Sequence, residues 1–77
     1  MQHARVDYQR IQDPEGLIPE KEPVFLIRAQ DNIGWMAVVC WCILAKLVGA
    51  DKKIIKLAMR QALRMLDWPL KKTADVR

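Results

Sequence analysis

Residues 33–50 read IGWMAVVCWCILAKLVGA, an almost unbroken apolar run whose single charge is Lys46. The pattern predicts a first helix over residues 32–48. Asp31 or Asn32 supplies an oxygen for the free amides of its first turn. Gly49 is the residue type favoured just past a helix end. Asp51 then caps a second helix over residues 52–67, and Pro69 stops it. Two helices joined by about three residues must fold back on one another as an αα-hairpin.

The two helices differ in how their apolar residues are arranged. In the second, Ile54, Ile55, Ala58, Met59, Ala62, Met65 and Leu66 recur at three- and four-residue steps and mark one face. Lys53, Lys56, Arg60 and Arg64 line the opposite face, either as a solvated surface or as a basic contact stripe for a polyanion. The first helix is apolar all round, so it must be enclosed on every side or lie in a membrane. We expect Ile33, Met36, Ala37, Cys40, Leu44, Leu47 and Val48 to pack on the second helix and the strand before it. The other face, Trp35, Val38, Val39 and Cys42 with Lys46 at its end, is then the expected partner-binding surface, because tryptophan is common at interface hot spots.

Upstream, Val24, Phe25, Leu26 and Ile27, ending at Arg28, form a short run entered through Pro23, a residue tolerated at the start of a strand. Both of its faces are apolar. It is expected to pair with residues 5–11, where Val6 and Tyr8 alternate with polar neighbours, or with its own copy in a second chain. Asp13-Pro14-Glu15-Gly16 has the residues of a type I turn. Pro19 and Pro23 bracket Glu20-Lys21-Glu22, an extended surface connection. Downstream, Trp68-Pro69 with Leu70 is expected to fold back as a lid, Lys71 and Lys72 to return the chain to solvent, and residues 73–77 to fray. The chain thus divides into a lead-in over 1–23, a compact unit over 24–69 and a basic tail over 70–77.

The chain has 77 residues, 52% of them hydrophobic. One small domain at most can form, with little interior to hide so much apolar matter, which favours a dimer or a partner-bound state. Residues 1–32 carry a net charge of −2 and residues 51–77 a net charge of +5, which with Lys46 gives +4 overall. The polar, acidic start lacks the basic-then-apolar order of a signal peptide.

Cys40 and Cys42 are the only cysteines, and His3 is the only histidine. Two positions apart on a helix, the cysteines point in different directions and cannot bridge. They are read as small buried hydrophobes of a reducing cytosol, with no zinc set within reach. No glycine-rich phosphate loop and no nucleophile beside His3 supports catalysis. We therefore expect no enzymatic activity, no catalytic residue, no metal and no cofactor.

One alternative is a single-span or membrane-surface protein, with residues 33–50 spanning, the acidic front outside and the basic tail inside. Another is a basic nucleic-acid-associated protein.

The stretch from Asp13 to Glu20, DPEGLIPE, followed by Glu22 to Asp31, EPVFLIRAQD, resembles a loose set of small uncharacterised bacterial and prophage proteins. These share an IPE-x-EPVFL-x-RAQD segment followed by a helix pair. The resemblance implies a phage-associated accessory role and carries over no catalytic or binding residue. The sequence thus leads to a mainly α fold, a short N-terminal strand followed by an αα-hairpin, completed by dimerisation. The expected function is a small non-enzymatic protein-binding module. As a phage-encoded modulator or inhibitor of a host protein, for example an anti-defence protein, it would act in the host cytoplasm.

Overall fold

The computed structural model describes the backbone of residues 2–3, and residues 13 and 15–75 in full. Its frame is a helical hairpin of α1 (Gly34–Leu47) and α2 (Lys52–Asp67), preceded by two-residue strands β1 (Gln2–His3) and β2 (Pro23–Val24). The hairpin and the short strand before it are as the sequence predicts.

The connection between the helices shows why the chain reverses there. Gly49 sits at φ +81, a left-handed conformation that side-chain-bearing residues avoid. Its N–H donates to Lys46 O at 3.2 Å, and the Ala50 N–H donates to Ala45 O at 2.9 Å. These two crossed bonds are the Schellman closure of a helix end. One residue later the Asp51 carboxylate accepts the Lys53 N–H at 2.7 Å and opens α2. Both boundaries of α2 match the sequence reading.

The start of α1 differs from expectation. The cap position falls on Ile33, which contributes no side-chain bond. Asp31 acts just upstream, where Oδ1 accepts the Ile33 N–H at 3.1 Å and its carbonyl accepts the Gly34 N–H at 2.9 Å. Gly34 is buried, and a Cβ there would lie 2.7 Å from Arg28 O and 2.8 Å from Ile27 Cγ2. The first turn of α1 is therefore seated directly on the backbone of the preceding segment.

The strand is far shorter than residues 24–28. Only Pro23 and Val24 are laddered, parallel to Gln2 and His3. The expected partner segment 5–11 lies outside the described residues. Phe25, Leu26, Ile27 and Arg28 continue without a ladder, and Phe25 is exposed, so the segment is not covered on both sides. The turn at residues 13–16 forms through Gly16 N–H to Asp13 O at 3.0 Å. The Asp13 carboxylate also accepts the Leu17 and Ile18 N–H groups.

The C-terminal segment is neither a lid nor frayed through residue 75. Trp68 is half exposed and Leu70 largely exposed. Instead, residue 72 clasps the loop before α1. Its N–H donates to Gln30 O at 2.7 Å, and its carbonyl accepts the Asn32 N–H at 3.0 Å. Asn32 Nδ2 donates to Thr73 Oγ1 at 3.3 Å, and Lys72 pairs with Asp75 at 3.1 Å. Lys71 and Lys72 are both exposed, as expected, yet the Lys71 side chain also bonds back to the hairpin. Its ammonium donates to Ala29 O at 2.8 Å and to Met65 O. A cation on the last carbonyls of α2 is favourable against the helix dipole, and the same cation ties both ends of the hairpin together.

Candidate functional site

The interior of the hairpin is built from small side chains. Among the described residues the buried apolar groups are Cys42, Ala45, Ala62 and Met65, and no large side chain is fully buried. Cys42 and Ala45 of α1 fall on the same helix side as the half-buried Trp35, Val38 and Val39. From α2, Ala62 and Met65 are joined by the half-buried Ile55, Ala58 and Met59. The Cys42 thiol reaches Ile55 O across the interface at 3.9 Å. Small residues at the seam let the two helices approach closely.

This packing reverses the expected faces of α1. Trp35, Val38, Val39 and Cys42 point inward, with Cys42 only 2% exposed, so they are not an open partner surface in this chain. Lys46 does remain exposed at their end. The outer face consists of Ile33, Met36, Ala37, Cys40, Leu44, Leu47 and Val48, the residues expected to lie inside. Trp41 and Ile43 flank it, and its large side chains are 45–83% exposed. No ionisable carboxylate, amine or guanidinium interrupts this surface. On α2, Ile54 and Leu66 are also exposed rather than packed.

The expected basic stripe is present. Lys53, Lys56, Arg60 and Arg64 are all exposed. At 100° per residue they lie opposite Ala62 and Met65, on the side of α2 facing away from α1. The stripe therefore does not rim the apolar face of α1. The hairpin has two unlike outer surfaces, one apolar and one cationic, on opposite sides.

A cleft of about 480 Å³ opens at the elbow, lined by Lys46, Gly49, Ala50, Lys52, Ile55 and Lys56. No nucleophile or carboxylate lines it. Among the described residues no group of three His, Cys, Asp or Glu side chains is placed to hold a metal ion.

No family model matches the chain, and no curated protein or solved structure matches it. The outer surfaces themselves therefore carry the functional reading.

The single-span alternative is not supported by helix length. Among the described residues no helix is long and apolar enough to cross a membrane. α1 has 14 residues, so at 1.5 Å per residue it extends roughly 21 Å, against about 30 Å of hydrocarbon. The sequence alone does not single out the apolar outer surface, because every side of α1 is apolar. Residue size gives no signal either, since Ala37 and Cys40 on the outer face are as small as Cys42 and Ala45 on the inner one.

Proposed function

We propose that this chain is a non-enzymatic binding module that docks another protein molecule through the outer face of α1. One observation carries the reading: the outer face of α1 displays Ile33, Met36, Leu44, Leu47 and Val48, all 45–83% exposed. Contiguous exposed apolar surface of this kind marks interaction sites in folded proteins. Trp41 and Leu44 supply the bulk that hot spots need. The absence of charge on the face favours an equally apolar counterpart. A lipid surface fits less well, because interfacial helices pair an apolar face with a basic one on the same helix, whereas here the cations project from α2 in the opposite direction. The prophage resemblance makes a host protein one class of partner.

A photo-crosslinking side chain at Leu47, which is 76% exposed, tests this in the cell that makes the protein. Covalent adducts with protein are expected. Adducts only with lipid, or none, would overturn the reading.

A second reading rests on the α2 stripe, whose exposed cations suit a polyanion such as a nucleic acid backbone. The stripe lies on the far side of α2, so both surfaces can be engaged together.

A further inference from the structure

We infer that the occupant of the outer face of α1 is a second copy of the same chain, related by a two-fold axis that passes at Cys40. The inference rests on the protein-docking reading above and names its partner. Three features of the face support it.

The first is a palindromic spacing. Counting outward from Cys40, positions three away are Ala37 and Ile43, and positions four away are Met36 and Leu44. Positions seven away are Ile33 and Leu47. These are the steps that share a helix face with the central residue. An isologous contact sets residue 40 + k of one copy beside residue 40 − k of the other. Every such pair here is apolar on apolar: Leu47 with Ile33, Leu44 with Met36, Ile43 with Ala37.

The second is size. The central residue is small and exposed, and Ala37 beside it is small as well. Larger side chains stand at the periphery. This lets two helices cross closely at the middle while the outer residues fill the wedges. Helix axes packed about 8–10 Å apart, with Cα atoms about 2.3 Å off axis, place two facing Cα atoms about 3.4–5.4 Å apart. The wider half of that span meets the disulfide range of about 4.4–6.8 Å.

The third is area. The large side chains of this face are 45–83% exposed and together offer on the order of several hundred Å² per copy, the scale of the ~800 Å² per partner in a standard interface. Pairing through α1 would make a four-helix assembly with the two α1 helices inside. The two basic α2 stripes would then face outward on opposite sides, where their charges are far apart and solvated.

The test joins a mass measurement with a cysteine probe on the full chain, without detergent. Light scattering should give twice the 8.9 kDa chain mass. Diamide, taking two electrons and two protons from a pair of thiols, should produce a disulfide-linked dimer on a non-reducing gel. Cys40→Ser should abolish that band while leaving the dimer mass unchanged, since Cys42 is buried and serves as an internal control. Leu44→Glu should give a monomer with unchanged helix content.

A monomeric wild-type chain overturns the inference. If such a monomer still forms adducts with a different protein from position 47, the docking reading survives alone. A dimer that diamide does not link through Cys40 also overturns the inference, because the two-fold would lie elsewhere.

Discussion

The two helices of the hairpin solve the same problem in opposite ways. α2 gives its inner side to Ile55, Ala58, Ala62 and Met65, and sets Lys53, Lys56, Arg60 and Arg64 on its outer side, where water solvates the charges. α1 gives its inner side to Trp35, Val38, Cys42 and Ala45, and its outer side is just as apolar. The difference shows that α1 has one neighbour and two apolar faces, whereas the side of α2 turned away from α1 carries cations. A basic outer face tolerates solvent; an apolar one calls for a second protein surface.

The largest contrast should come from reversing the character of each outer face in turn. Leu44→Glu places a carboxylate at the centre of the apolar face, where a buried unpaired charge is costly. It should weaken association by roughly a hundredfold or more, as loss of a hot-spot residue does. Arg60→Glu on the cationic face should leave association unchanged and shift stability by no more than about 0.5 kcal/mol. Equal effects of the two changes, read by analytical ultracentrifugation and thermal unfolding, would erase the distinction between the faces.

A smaller effect separates the ways in which the helices begin. α1 starts by close contact, with no space for a side chain at Gly34 above Arg28 O and Ile27. Gly34→Ala should therefore destabilise by about 1–3 kcal/mol, the usual cost of overpacking, even though alanine is the better helix former. Denaturant unfolding reads this directly. A stabilised Gly34→Ala variant would mean that α1 does not rest on that segment.

The start of α2 instead depends on one hydrogen bond, from the Lys53 N–H to the Asp51 carboxylate. Asp51→Ala should cost about 1 kcal/mol. The same substitution at Asn32 touches no cap and should cost less. If both changes cost the same, Asp51 is not acting as the cap.

An effect of similar size belongs to the clasp between the tail and the hairpin. Lys71→Met keeps the aliphatic stem and removes the bonds to Ala29 O and Met65 O. Because the ammonium is exposed at one of these contacts, a loss of about 0.5–1.5 kcal/mol is expected. Faster amide exchange should appear at the end of α2 and around residue 30. Unchanged exchange there would show that the clasp contributes nothing to holding the two ends together.

Local chemistry in the sequence was sufficient to place the hairpin. Gly49 and Asp51 mark a sharp break between two long runs, and each acts within a few residues of itself, so neither needs the rest of the chain to be interpreted. The basic stripe was legible for the same reason: four cations at three- and four-residue steps can share only one side of a helix. Which side of α1 faces inward was not legible. A helix apolar on every side carries no directional signal, and the choice between its faces depends on how closely α2 can approach.

That approach was decided in three dimensions. Cys42 and Ala45 are buried against α2, and Leu44 and Leu47 on the other side of α1 are turned outward. The pairing of residue 72 with Gln30 and Asn32 likewise joins segments some forty residues apart in a tail with no periodic pattern. Sequence by itself therefore determined where the helices lie, how they are joined and which side of α2 is charged, since those features follow from bonding between near neighbours. Only the tertiary structure decided which apolar face is hidden and where the tail is fastened, because both depend on close contact between distant parts of the chain.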